Sequence, residues 1–419
     1  MNKALVLTSY PKKRTIHGKT TVGVASYAKN TLLAIKKNAY KKVGLTVLAE
    51  ELSDDTGYTH DGIEVKRIWR RDSFRTFPRL ILEIVKHHRD EKTLVIEFEL
   101  AMFGAIIYLL PFPLFLLIIR LIGKKVIFVS HQVVPSVGEI APHINVERHS
   151  LKAQVFNLGL ALFYKSVLLL SNKVIVFEEG LKQKLSSYGD TKKIIVIPHG
   201  VEHFNNTITP ASARKRLNIK SNQFVVVSFG YLAWYKGTDW LIHAISEIKN
   251  TKKKLSKDIT LILAGGPNPN HSDKAYYQRY LKNLTKEAEL NGITITGFVP
   301  QNDIPLYYKA ADVIVFPYRT YMSASGPLSI AFSFKKPFLL AQSLSGVLHQ
   351  KDVQETLDQL KINETTLLFK DAGSELADIL TKIKKNTKLR AKLSKLSSEL
   401  AKKRDWSLIG RSYYEELFV

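Results

Sequence analysis

The sequence contains no cysteine, which excludes disulfides, thiolate metal sites, iron–sulfur clusters and cysteine nucleophiles together. Acidic residues are scarce: 37 stand against 62 lysines and arginines, a formal net charge of +25 over 419 residues. That surplus predicts attraction to phosphate-rich partners, whether membrane surfaces, nucleic acids or phosphorylated substrates. Charge alone does not choose among them. The start of the chain has little apolar length, since only residues 4–8 precede Lys12, Lys13 and Arg14, too few for a secretory leader. A cytoplasmic protein is therefore expected. In that setting the triplets Asn205-Asn206-Thr207 and Asn363-Glu364-Thr365 are not glycosylation acceptors.

What the chain does have is core-forming material, 45% hydrophobic residues with 24% charged, the balance of a folded globular protein. One stretch, residues 100–119, is without charge between Glu99 and Arg120, long enough to cross a bilayer. Gly104, Pro111 and Pro113 interrupt it and a strand pattern follows at 126–129, so a buried or membrane-dipping helical hairpin is the expectation. Elsewhere β-branched runs of strand length fall at 4–8, 44–49, 62–68, 94–98, 126–130, 174–177 and 194–197, with helix-period stretches such as 23–37 and 156–171 between them. The pattern restarts at 224–229, 259–264, 293–296, 313–316 and 338–341. Strands alternating with helices imply two doubly wound parallel sheets in tandem, an α/β protein of two Rossmann-like domains. The seam is the polar stretch 202–213, which gives domains at 1–201 and 214–400 and a closing helical segment at 401–419.

Ligands in such sheets bind beyond the carboxyl ends of strands, and the motifs there carry the chemistry. Gly18-Lys19-Thr20 hints at a nucleoside-triphosphate loop, but the glycine required five positions earlier is Lys13, so the phosphate cradle is incomplete. Gly23 opens a helix after the first strand, where backbone N–H groups can approach an anion. Lys236, in the loop after strand 224–229, is placed to reach a diphosphate. Gly265-Gly266, Gly297-Phe298-Val299-Pro300 and Ser325-Gly326-Pro327-Leu328 also follow strands, and the last begins a helix whose free amides face any bound anion.

In order and spacing these segments, with His131 after a strand, Pro198-His199-Gly200, Ala310-Ala311-Asp312 and the Trp406 helix, resemble the retaining glycosyltransferases of family 4, which have the GT-B fold. The resemblance spans nearly the whole chain. It implies a first domain for the acceptor and a second for a nucleoside-diphosphate sugar, with no metal or other cofactor and a closing helix that returns to the first domain. The donor's contacts would come from Gly23, Tyr231, Gly266, Phe298, Val299, Ser325, Gly326, Pro327 and Leu328, with His131 beside the transferred sugar and Lys236 on the diphosphate.

Two positions depart from the family. Tyr231 stands where an arginine is usual, and the paired glutamates eight apart are replaced near Met322 and Ile330, with no acid between Asp312 and Asp352. Arg319 is the candidate for the missing positive charge, since a guanidinium binds phosphate oxygens bidentately. The expectation is transfer of a hexosyl group, glucose or mannose, to a saccharide or lipid-linked acceptor. Two other readings stand beside it: a non-catalytic protein of the same fold, motivated by the lost glutamates, and a nucleic-acid binder, motivated only by charge and without a recognisable module. Residues 66–79 interleave Lys66, Arg67, Arg70, Arg71, Arg75 and Arg79 with Trp69, Phe74 and Phe77. Such a patch suits an anionic membrane surface, hence peripheral attachment to the inner face of a membrane.

Overall fold

Strands β1 (Asn2–Leu7), β2 (Val43–Glu50), β3 (Gly57–His60), β4 (Ile63–Trp69), β5 (Thr93–Phe98), β6 (Lys125–Ser130), β7 (Lys173–Val176) and β8 (Ile194–Val196) form one sheet in the order β3-β4-β2-β1-β5-β6-β7-β8. All pair in parallel except β3, which runs antiparallel to β4. The computed structural model describes residues 2–13, 23–53, 55–204, 207–251, 257–268, 271–370 and 373–419. Gly18-Lys19-Thr20 and Asn205-Asn206 lie outside them. Successive side chains of a strand point to opposite faces. Leu5, Leu7, Leu94, Ile96, Val126 and Phe128 accordingly join one core, and Ala4, Val6, Val95, Ile127 and Val129 the other. Helices Thr76–His87, Phe112–Leu121 and Leu151–Leu170 cover the first face. Helices Gly23–Asn38 and Trp406–Phe418 cover the second.

The second sheet comprises β9 (Phe224–Phe229), β10 (Ile259–Ala264), β11 (Thr294–Ile295), β12 (Val313–Phe316), β13 (Phe338–Ala341) and β14 (Leu368–Phe369), ordered β11-β10-β9-β12-β13-β14 and wholly parallel. In each sheet the order reverses at one central strand, β1 between β2 and β5, and β9 between β10 and β12. Such reversals splay the loops apart and open a crevice at the carboxyl ends. The candidate site lies at both.

Several expectations change. Residues 100–119 form no helical hairpin: a 3₁₀ turn at Ile106–Leu109 is followed by a single ten-residue helix, Phe112–Leu121, because Pro111 and Pro113 fit only the first turn of a helix. Residues 66–79 are only in part an open basic face: Arg70, Arg75 and Arg79 are exposed. Trp69 and Phe77 are buried, and Arg67, its side chain 2% exposed, pairs with Asp55 at 2.6 Å. Arg70 and Arg79 converge on Glu51, and Lys66 meets Glu83. Nearby carboxylates thus answer most of the patch. The expected linker 202–213 already contains the start of helix Pro210–Arg216, whose first turn Thr209 caps by accepting from Ser212 N–H.

The chain passes between the domains twice, after Val201 and at Arg404, and the passages are joined by Val201 N–H donating to Arg404 O at 2.8 Å. Beyond Asp405, helix Trp406–Phe418 packs on helix Gly23–Asn38. Gly410 is needed there, since a Cβ would meet Ala34 carbonyl carbon at 2.5 Å. At the floor of the interface Tyr321 O–H donates to the buried Glu178 carboxyl, Lys184 Nζ donates to Tyr321 O at 2.7 Å, and Gln350 donates to Phe177 O at 3.2 Å. Burial pushes the Glu178 carboxyl up from 4.5 to about 7; Tyr321 and Arg404 oppose the rise and Asp352 adds to it.

A carboxyl with a higher pKa folded than unfolded holds its proton more tightly in the folded state. Stability therefore falls as pH rises from the unfolded value to about 7, by at most about 3 kcal/mol. Glu178→Gln, which keeps the acceptor and cannot ionise, should melt above wild type at pH 8 and level with it at pH 4.5. Melting curves at the two pH values check this, and an equal deficit at both would contradict it.

Candidate functional site

Between the domains lies a cleft of about 420 Å³. The first turns of helix Gly23–Asn38 supply one wall through Gly23, Ser26, Tyr27 and Asn30, joined by His199 and Gly200. The loops after β9, β10, β11 and β12 supply the other through Tyr231, Lys236, Gly266, Phe298, Val299, Gly326 and Pro327, with Trp406 also lining it. A second hollow of about 430 Å³, among Leu217, Ile262 and Tyr307, sits at the outer edge of the second sheet. It brings together none of the strand-end motifs.

Lys236 ends the 3₁₀ turn Trp234–Lys236. Its ammonium lies 5.5 Å from the centre of the Tyr318 ring. Burial lowers its pKa, but the phenol oxygens of Tyr318, Tyr235 and Tyr231 outweigh that and leave it above the ordinary value. The lysine is therefore charged at neutral pH, and among the described residues no carboxylate pairs with it. Gly230 makes room for it: with φ +119°, a Cβ there would stand 2.7 Å from Lys236 Nζ.

At the start of helix Gly326–Ser333, Ser325 Oγ accepts from Leu328 N–H and lies 3.2 Å from Tyr318 Oη. Leu328 is thus no donor to a ligand: its N–H is engaged by Ser325 and its side chain is in the core. Pro327 has no N–H, which leaves Gly326 as the amide open to the cleft. A Cβ at Gly326 would meet no atom within 4 Å, so the space above it belongs to the cleft. Phe298, 41% exposed, and the buried Val299 form the rim. Of Met322 and Ile330, Ile330 lines the cleft, whereas Met322 lends its carbonyl to Val133 N–H at 2.8 Å across the interface.

His131 is not on the wall itself. The wall is Tyr27, against whose ring His131 packs edge-on at 4.9 Å. His131 Nε2–H donates to Glu97 at 2.7 Å, and that carboxylate is 1% exposed. Sequence reading passed over Glu97, yet a lone acid at the carboxyl end of the apolar strand β5 is the kind of buried charge that needs a partner or a task. It also passed over Tyr27, one helical turn after Gly23 and so on the same face. His199 touches Tyr27 at 4.8 Å; burial drives its pKa down to about 4, while its Nδ1–H donates to Gly200 O at 2.7 Å. It is a neutral wall residue.

Arg319 is elsewhere than expected. It is absent from the cleft lining. Its guanidinium grips Asp239 with both terminal nitrogens, donates to Trp234 O at 2.7 Å, and stacks 5.2 and 4.7 Å from the Trp234 and Trp240 rings. Arg319 brings no charge to the cleft; it fixes the turn that presents Lys236. Removing one partner of a largely buried pair leaves the other uncompensated, at about 3 kcal/mol or more. Arg319→Ala should therefore lower the melting temperature by several degrees, and Lys236→Ala should not. A thermal melt of each separates a clasp from a ligand-facing charge.

Residues 209–399 match the family described as Glycosyl transferases group 1. The D-inositol 3-phosphate glycosyltransferase of Salinispora arenicola is 29% identical over 111 residues, 26% of this chain and 23% of that protein. The protein of the same name from Streptomyces bingchenggensis is 25% identical over 160 residues, 36% and 33% of the two chains. The chain thus spans about a quarter to a third of the curated relatives it matches. Sucrose-phosphate synthase from Thermosynechococcus elongatus superposes with a TM-score of 0.72 at 18% identity, covering 100% of this chain and 99% of that one. Anabaena HepE in complex with UDP-glucose gives 0.67 at 17% identity over 99% of each chain. At such identities the likeness carries the fold: two Rossmann-like domains in the GT-B arrangement, the second bearing a glycosyltransferase group 1 match.

Proposed function

We propose that the protein is a glycosyltransferase that takes a hexosyl group, glucose or mannose, from a nucleoside-diphosphate sugar and passes it, with retained anomeric configuration, to a saccharide or lipid-linked acceptor. The observation that carries this reading is a charged, carboxylate-free lysine beside an open helix-start amide, at the reversal point of one sheet and facing the helix start at the reversal point of the other. Both groups suit a diphosphate. As the glycosidic bond breaks, negative charge grows on the departing diphosphate, and preorganised donors in a desolvated cleft stabilise that charge more than the ground state. Lys236 and Gly326 N–H fill this role without calling on a divalent cation. The base lies near the backbone of Phe298 and Val299.

The acceptor enters along Ser26 and Asn30. Glu97 holds His131, and His131 braces Tyr27, so the sugar is oriented by a wall fixed from behind. With Ile330 in place of a carboxylate, the attacking hydroxyl's proton goes to the departing phosphate oxygen on the same face, which accords with retention. The lack of acids between Asp312 and Asp352 also favours a second reading, a protein that binds the donor and transfers nothing. Turnover separates the two.

A melting screen over nucleoside-diphosphate sugars, beginning with UDP-glucose, should find one that raises the transition. With that donor, Lys236→Ala should cut kcat/KM by 10²–10³-fold, about 2.7 to 4 kcal/mol of barrier. Gly326→Val, whose side chain enters the cleft rather than the protein, should abolish donor binding at unchanged melting temperature. No shift with any nucleotide sugar would refute the assignment, and binding without product would select the second reading.

A further inference from the structure

The helices Phe112–Leu121 and Leu151–Leu170 are apolar on the face that meets the sheet and apolar again on the face that meets solvent. Inward, Phe112 and Phe163 stack at 5.4 Å over β5 and β6. Outward, Leu110, Leu114 and Leu121 are 73%, 58% and 76% exposed, and Val155, Leu158 and Leu162 are 62%, 63% and 59% exposed. Positions 110, 114, 117 and 121 repeat the spacing of 151, 155, 158 and 162, a single stripe along each helix. Both helices lie on one face of one sheet, so both stripes point away from it on the same side. A soluble helix ordinarily carries polar residues there, and an apolar surface this extended marks a contact.

The charge around the stripes names the partner. Arg120 is exposed at the end of the shorter helix, whereas Lys124 is buried and Lys173 pairs with Glu416 of the closing helix. Lys152, Lys165 and Arg148 are exposed beside the stripe of the longer helix, where long stems let cationic heads reach past an apolar contact. Phe74, half exposed, stacks on Tyr108 at 4.7 Å, adding aromatics suited to a water–hydrocarbon boundary. The surface is the back of two helices rather than a groove. Leu151–Leu170 has the length and apolar character to cross a bilayer, but Leu160, Phe163, Tyr164 and Val167 tie it into the core. It can lie in an interface and cannot cross it with the domain folded.

We infer that this two-helix face is a docking surface for an anionic lipid bilayer, entered by the leucine stripes and flanked by cations on the head groups. The basic run 66–79, occupied by its own carboxylates, is not the anchor. This inference is independent of the transferase reading.

The test is sedimentation of the full chain with phosphatidylglycerol-containing and with pure phosphatidylcholine vesicles. Wild type should pellet at least tenfold more with the anionic vesicles at low salt, and only partly release as salt rises, since ionic attraction is screened and apolar insertion is not. Leu114→Glu/Leu158→Glu/Leu162→Glu, at exposed positions, should lose tenfold or more of the binding at unchanged melting temperature; Arg70→Ser/Arg79→Ser should keep it. Because the chain has no cysteine, Leu158→Cys takes a single environment-sensitive fluorophore, whose emission should shift blue on anionic vesicles. Wild type left in the supernatant would overturn the inference. So would pelleting of the triple variant like wild type, or loss of binding confined to the arginine variant. A dimer that the triple variant breaks, without vesicle binding, would assign the face to a second copy and overturn it too.

Discussion

The geometry of the cleft rests on one pairing: the two lengths of chain that pass between the domains are hydrogen-bonded to each other, Val201 to Arg404. Each sheet builds half a site at its own reversal strand, and neither half closes over a ligand alone. The paired crossings, with Glu178 and Tyr321 beneath them and Trp406 above, hold the halves face to face. Arg404 is itself fixed by a fork to Asp352 at 2.7 and 3.0 Å. Alongside, the two domains also meet at Gly180 and Gly346, where backbone approaches backbone without side chains between.

The two walls divide their chemistry. Uncompensated positive charge sits on the second domain, in Lys236. Behind the first domain's wall a buried acid, Glu97, is spent on His131. Arg319 and Glu97 are alike in this respect: each touches a residue that faces the cleft, or its neighbour, and neither faces the cleft itself. Precision at the wall comes from the hydrogen-bonded pairs behind it, Glu97 with His131 and Asp239 with Arg319.

Much of this could be read from the chain. Strands 224–229, 259–264, 313–316 and 338–341 are found at the very residues expected, because a parallel strand buried on both faces is an unbroken apolar run with sharp ends. Edge strands have no such signature: Gly57–His60 is half exposed and polar, and Leu368–Phe369 has two residues. The strand-end glycines and Lys236 were legible because crevices form where loops leave strands in opposite directions. The partners that give those residues their roles were not, since Arg319 meets Asp239 across 80 positions and His131 meets Glu97 across 34. The ion pairs of the cationic run 66–79 were hidden for the same reason. Sequence shows the arginines together and hides the acids folded onto them.

The closing helix has a consequence for how the molecule is made. Residues 406–418 complete a layer of the first domain: Tyr413 Oη lies 3.0 Å from Tyr27 Oη, with 386 positions between them. As the chain leaves the ribosome, the first sheet is finished early, yet its second face stays bare of that helix while some two hundred further residues are synthesised. Apolar positions such as Ala28, Leu32 and Ile35 wait through that interval, when exposed surface invites misassociation. The domain whose sheet is made first is thus the last to be sealed.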